Sequence, residues 1–219
     1  DGFQFWKLTS LSGEAKIKGL YREYKTFSYD ISYFQKSSSL SGGALVSTKS
    51  FFLHPNFLTV DVDAGYFPET SRENYIVFPD QSEVSTSKKL GIRTNLFQQK
   101  KVSLITFANF DDSYQNRENL TDVKSSSKQW GGTLIYRNKF LPVSANFRQG
   151  RWRQEEIATA RKVYMDERVF SANTNKSFLV RDRHELNYSH NESVIQNIFT
   201  EHYVYSDRLK SVIDDSHLN

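Results

Sequence analysis

At 219 residues and 25.5 kDa the chain is large enough to enclose one sizeable core, and a single domain over 1–219 is the default. Only 37% of its residues are hydrophobic while 15% are aromatic, a mixture too rich in rings for a disordered chain and too polar for a helical membrane bundle. The 29 basic residues alternate with 25 acidic ones, so the net charge of +4 does not imply a nucleic-acid partner.

Cysteine is absent, which removes disulfides, thiolate nucleophiles and cysteine-ligated zinc together. No stretch reaches the ~18 consecutive apolar residues of a membrane helix. No basic region followed by an apolar one opens the chain at Asp1, so any leader is read as already removed. A secreted chain without disulfides suits a bacterial envelope better than a eukaryotic exterior.

The dominant signal is an alternation of period two. Over residues 11–21, Leu11, Ala15, Ile17 and Tyr21 oppose Glu14, Lys16 and Lys18. Residues 26–34 set Phe27, Tyr29, Ile31 and Tyr33 against Thr26, Ser28, Asp30 and Ser32, and another strand is expected over 40–50. Residues 57–67 set Leu58, Val60, Val62, Ala64 and Tyr66 against Thr59, Asp61 and Asp63. The pattern returns at 88–97 (Leu90, Ile92 and Leu96 opposite Arg93 and Asn95) and at 101–110 (Val102, Leu104, Ala108 and Phe110). It is repeated at 128–137 (Trp130, Leu134 and Tyr136 opposite Gln129, Thr133 and Arg137) and 141–149 (Val143, Ala145 and Phe147 opposite Ser144, Asn146 and Arg148). Fainter alternation at 163–178, 184–190 and 198–205 completes about eleven strands, and no segment carries a helical i, i+3, i+4 stripe.

The clear segments run ~9–11 residues, longer than the ~5–6 of an ordinary globular strand and enough for a tilted strand to cross a bilayer. The connections 22–25, 98–101 and 138–140 are short, whereas 68–87, 111–127 and 150–161 are long and polar. An up-and-down barrel produces such alternation because successive connections fall at opposite rims. The segment 35–39 should be long on this scheme and is not.

One parity gathers Glu14, Lys16, Lys18, Asp30, Asp61, Asp63, Arg93, Arg137, Arg148 and Glu185. This mixed-sign set suits the lining of an aqueous lumen, whereas in a soluble sheet the same residues would coat the outside. Tyr21, Phe27, Tyr33, Phe57, Tyr66, Trp130 and Tyr136 fall near strand ends, as interfacial aromatic residues do where rings settle at the headgroup level. With its long alternating strands, alternating connections and aromatic ends, the chain resembles a bacterial outer-membrane β-barrel over roughly residues 11–205. The resemblance is architectural and rests on no diagnostic motif. It implies an all-β, antiparallel up-and-down meander of about 10–12 strands, a transmembrane β-barrel or partial barrel in the outer membrane. Its partners would be outer-membrane lipid and small solutes or an envelope protein. Such barrels commonly finish on an aromatic residue and prefer even strand numbers, whereas this chain finishes Ser216, His217, Leu218, Asn219. Residues 1–219 therefore read either as one barrel domain or as the N-terminal part of a longer one.

No catalytic constellation emerges. Asp61 and Asp63 share a strand face, and pairing with Lys16, Lys18 or Arg93 is favoured over a cation site that would need further oxygen ligands. His184, His190 and His202 with Glu185, Glu192 and Glu201 match no metal-binding spacing. A nucleophile elbow, a phosphate loop and a dinucleotide fingerprint are all missing, so no enzyme activity, cofactor or metal is expected. Arg148, Arg151, Arg153, Arg161 and Lys162, with Glu155 and Glu156 among them, read as a solvated loop, with a phosphate or lipopolysaccharide site as the sharper alternative. His54-Pro55-Asn56 reads as a turn in which Asn tolerates the left-handed region.

The expected function is a porin-like channel, or a component of an envelope transport or export apparatus, with a charged lumen. The alternative is a soluble or surface-tethered all-β module stacking a carbohydrate or other ligand on Trp130, Trp152 and loop tyrosines. The two differ in one observable. Leu58, Val60, Val62 and Ala64 either face outward in an apolar belt or meet a second sheet across a dry core.

Overall fold

The structure is a computed structural model that describes residues 5–28, 31–75, 80–118, 122–176, 182–197 and 201–215. It contains ten strands: β1 (Trp6–Ser28), β2 (Ile31–Phe52), β3 (Leu58–Tyr75), β4 (Gln81–Leu96), β5 (Val102–Arg117), β6 (Val123–Tyr136), β7 (Val143–Glu156), β8 (Arg161–Lys176), β9 (Asp182–Gln196) and β10 (Glu201–Asp215). They form one antiparallel sheet in strict sequence order, the meander that the alternation implies. Among the described residues β1 and β10 do not meet, so both edges of the sheet lack a paired strand and the sheet does not close on itself.

The strands run from 14 to 23 residues, well beyond the expected length. Two readings of the sequence are corrected accordingly. Residues 26–34 are not a strand but straddle the first hairpin, where Phe27 pairs with Ser32 and Ser28 with Ile31. Rings at every second position continue across that hairpin and mask it, which accounts for the eleventh strand. Segments 22–25 and 35–39 lie inside β1 and β2 and are not connections. Tyr33 pairs with Thr26, so its register position belongs to the row parity of Lys18 and not to that of Phe27.

The long connections also contract, because β3, β5 and β7 run on to Tyr75, Arg117 and Glu156, and β4, β6 and β8 start at Gln81, Val123 and Arg161. Those stretches are polar on both faces and so look like loops. Within a ladder their backbone groups are nevertheless satisfied, and both faces can remain in water. Pro68 thus sits inside β3. Pairing with β2 is interrupted between Tyr66/Ala44 and Glu69/Ser41, beside Gly42 and Gly43, while pairing with β4 continues through Phe67/Ser87 and Pro68/Thr86. The ring of Phe67 lies over Gly43 and Gly65, where an added Cβ would come within 2.6 and 2.7 Å of it.

The β2–β3, β4–β5 and β6–β7 turns lie at one rim, called here the tight-turn rim; the β3–β4, β5–β6 and β7–β8 connections lie at the far rim. In the turn at 53–57 the left-handed residue is Leu53 (φ 60°), not Asn56, whose N–H donates to His54 Nδ1 at 3.0 Å. Phe97 (φ 54°) repeats this geometry in the next turn, and both accept a cost that bulky side chains seldom tolerate. Among the described residues no hydrophobic side chain is fully buried, and there is no second layer of structure against which the sheet could build a core.

Candidate functional site

The pleat divides the sheet into two faces with different chemistry. On the first, cross-strand pairing aligns Leu58, Leu96, Leu104, Leu134 and Ala145 in one row and Val62, Ile92, Ala108 and Trp130 in another. Leu134 and Tyr136 are exposed where Ile135 between them is half-buried, and Ala44 and Val46 are exposed where Leu45 is half-buried. Among the described residues no other element covers the apolar face.

The apolar belt begins at the tight-turn rim and ends on each strand at a large side chain followed by polar or charged residues. These are Tyr66, Leu90, Phe110, Trp130, Phe147, Phe170 and Tyr188 from β3 to β9. They do not lie in one hydrogen-bonded row. The row of Tyr66 continues through Lys88, Asp112, Ser126, Arg153 and Tyr164 to Gln196, so that Tyr188 lies eight residues along β9 from the row of Tyr66. With ~3.3 Å per residue and ~4.8 Å between strands, eight residues over six strand spacings incline the edge by about 40° to the rows. That is the ~35–45° by which strands lean when a sheet curls into a barrel. On β3 the belt from Leu58 to Tyr66 measures about 26 Å along the strand, or about 20 Å once tilted, before the rings of Phe57 and Tyr66 are counted.

The polar face carries the charged set read from the sequence. Glu14, Lys16, Lys18, Asp61, Asp63, Arg93, Arg148 and Glu185 share its parity. The register sets Asp61 opposite Arg93, one of the expected partners, while Lys16 and Lys18 lie two strands away on β1. Asp61 lies in one row between Lys49 and Arg93, a row that continues through Phe107 and Gly131 to Arg148. Lys16 instead pairs with Glu14 on its own strand at 2.8 Å, because two residues of the same parity stand side by side. Arg148 meets Glu167 at 3.2 Å, and Glu185 accepts from Asn187 at 2.8 Å. Lys49, also on this face, was not singled out from the sequence because it falls in a Ser- and Thr-rich stretch, although its parity with Ser47 pointed there. Nearer the tight-turn rim the polar face is neutral and hydrogen-bonded: Thr133 donates to Asn146 Oδ1 at 2.7 Å, and Asn95 Nδ2 to Thr59 at 3.0 Å.

Arg137 stands apart from this set. It lies one residue past β6, where its guanidinium donates to the carbonyls of Gln98 and Lys100 at 3.0 and 3.1 Å and ties two neighbouring turns together. Asn56 and Gln99 join the turns before it at 3.1 Å. Asp30 lies outside the described residues. Of the interfacial aromatics, Tyr21, Phe27, Tyr66, Trp130 and Tyr136 share the apolar parity, while Phe57 sits in a turn with its ring edge-on to Phe97 at 5.2 Å. Trp130 packs against Phe147 at 5.1 Å. Trp152 pairs with Ser127 and Met165 on the polar parity, so Trp130 and Trp152 face opposite ways and offer no shared stacking platform. His184 and His190 fall on the apolar parity and Glu185 on the other, and no cluster of metal-ligating side chains occurs among the described residues.

No protein-family model matches the sequence, and comparison with curated proteins likewise finds no match. The fold does have structural counterparts. The alcaligin outer-membrane receptor FauA of Bordetella pertussis superposes with a TM-score of 0.53 over 92% of this chain and 40% of the receptor, at 7% identity. The ferric-catecholate import receptor Fiu of E. coli K12, in its closed form, gives 0.51 over 95% of this chain and 47% of the receptor, also at 7% identity. The chain thus spans less than half the length of either receptor and shares with both the architecture of a bacterial outer-membrane β-barrel wall.

Proposed function

We propose that the chain forms the wall of an outer-membrane β-barrel, with its apolar face against lipid and its charged face lining an aqueous lumen through which small polar solutes pass. The observation that carries this reading is the uncovered apolar belt whose aromatic edge crosses the ladder at about 40°. Strands with that lean place the edge level with one membrane surface. The mechanism is passive and needs no catalytic group or cofactor: lumen width and lining charge choose the solute. In the row holding Lys49, Asp61, Arg93 and Arg148, Arg148 is paired with Glu167, which leaves Lys49 and Arg93 against Asp61, a mixed-sign lining with a slight excess of cations that favours anions. One of the receptors that share this architecture is named for import of ferric catecholate and the other as a receptor for alcaligin, and an uptake barrel is the form of the proposal they support.

The natural absence of cysteine makes the test direct. Single cysteines at Val62, Ile92 or Leu134 should react with a lipid-soluble maleimide and resist a charged aqueous one in reconstituted vesicles, while cysteines at Asp63 or Asn109 should do the reverse. Equal aqueous labelling of both sets would overturn the membrane assignment. Arg93→Glu with Arg148→Glu should then move the reversal potential in planar bilayers toward cation preference, and an unmoved potential would remove both residues from the lumen.

A further inference from the structure

We propose that the polar face carries, in its far-rim half, a track for a neutral oligosaccharide, laid across the strands from Phe67 on β3 to Trp152 on β7. The inference rests on the reading of that face as a lumen wall, and names a class of solute that the wall holds.

One row of the ladder runs through Phe67, Ser87, Ser113, Ser125, Gln154 and Val163, from β3 to β8. Among the described residues the side chains of Ser87, Ser113, Ser125 and Gln154 have no hydrogen-bond partner within the protein. Ser113, Ser125 and Gln154 line a hollow of about 340 Å³, with Gln115, Arg117 and Glu156 beside them. The groups beside them are already engaged: Arg117 meets Glu83 at 3.1 Å, Gln115 also donates to Glu83, and Glu156 accepts from Thr159 at 2.9 Å. What stays available is uncharged, and hydroxyls and carboxamides both donate and accept. A sugar hydroxyl matches that capacity in both directions, whereas an inorganic anion only accepts and leaves the acceptors of the row unused. The charged row is also remote, because its member on β5, Phe107, lies six residues from Ser113, about 20 Å along the strand.

The hydroxyls lie between apolar surfaces that a merely wetted wall does not require. At one end the Phe67 ring lies across Gly43 and Gly65, where an added Cβ would come within 2.6 and 2.7 Å of it, so the glycines let the ring lie down on the sheet. Lys89 Nζ is 5.8 Å from the ring centre, at the limit of a cation–π contact, and its long side chain can swing aside. At the other end, in the neighbouring row, Trp152 stands opposite Met165, and Met165 opposite Ile195. The C–H face of a sugar ring settles on the electron-rich face of an aromatic ring, while its hydroxyls reach sideways to polar partners. From β3 to β7 the row crosses four strand spacings, about 19 Å, which is more than one sugar ring covers.

The test uses the full chain folded in a zwitterionic detergent and titrated by calorimetry with maltotetraose, cellotetraose and glucose. At least one tetrasaccharide should bind roughly tenfold more tightly than glucose, with an affinity that added salt leaves unchanged. Ser113→Val with Ser125→Val removes both hydroxyls while suiting a strand, and should weaken binding roughly tenfold. Phe67→Ala and Trp152→Ala should each weaken it as well, and Ser126→Val on the opposite face should not. Failure of both tetrasaccharides to bind overturns the track, as does equal affinity of the parent and the double-valine variant. Binding that salt abolishes overturns the assignment to a neutral ligand. A cysteine at Leu134 reports on the underlying reading. Retained labelling from lipid shows that the variant is folded, while absent labelling in the parent counts against the membrane reading and not against the track, which the titration in detergent reads by itself.

Discussion

The two halves of each long strand make an instructive contrast. Toward the tight-turn rim the sheet has one apolar and one polar face; toward the far rim both faces are polar. On β7 the apolar parity runs Val143, Ala145, Phe147 and then Gln149, Arg151, Arg153 and Glu155, while the opposite parity stays polar nearly throughout, with Ser144, Asn146, Arg148, Gly150, Trp152, Gln154 and Glu156. The change is confined to one face. A sandwich would cover the apolar half with a second sheet, and among the described residues there is none. A change on one face at an oblique level is what a sheet shows when only its outer surface crosses from hydrocarbon to water.

The contrast predicts its own breaking points. The largest effect is expected from Leu134→Lys or Val62→Lys in the belt, which should lower folding stability in lipid vesicles by about 2–4 kcal/mol, while Ser126→Lys on the same face beyond the edge should cost less than about 1 kcal/mol. Equal costs in a urea titration would abolish the distinction between the halves. Next comes Gly131→Ala. A Cβ there would run into the Phe147 carbonyl oxygen and lie 3.0 Å from Arg148 Cα, both backbone, so a loss of about 1–3 kcal/mol is expected. Gly19→Ala on β1 meets nothing within 4 Å and should be close to neutral in the same titration.

Smaller effects test the polar bonds. Asn146→Ala, in the belt half, removes the partner of Thr133 and should cost about 1 kcal/mol with little response to salt. Glu192→Gln, in the far half, breaks the exposed pair with Arg168 and should cost at most about 1 kcal/mol, disappearing at high ionic strength. Ala160→Gly relieves a left-handed residue (φ 53°) at the far rim and should stabilise by about 0.5–1 kcal/mol, read as a shift in denaturation midpoint.

Much of this architecture was legible beforehand, and the failures have physical causes. Over Leu58 to Tyr66 the alternation was visible because one face is apolar, so the pleat prints itself on the residue pattern. Beyond Tyr66 both faces are polar, the print vanishes, and Pro68 looks like a breaker; the ladder with β4 continues there regardless. The first hairpin was hidden for the opposite reason, since the two-residue spacing of Phe27, Tyr29, Ile31 and Tyr33 continues through it although the register puts Tyr33 in the other parity. Arg137 had the right parity for the polar face but lies past the end of its strand, where parity no longer governs direction. The cluster of bases on β4–β7 was half visible: Arg151 and Arg153 stood out in a charged segment, but Lys88, Lys124 and Lys128 come from other strands, and only the register brings them alongside.

What the sequence determined by itself is which residues share a face, because alternation is a property of a single extended strand. What only the tertiary structure decided is which residues share a level. The slant of the aromatic edge, the placing of Asp61 between two cations and the gathering of bases on β4–β7 all depend on register. Register is fixed between strands, by hydrogen bonds whose pairing no single strand's residues can specify.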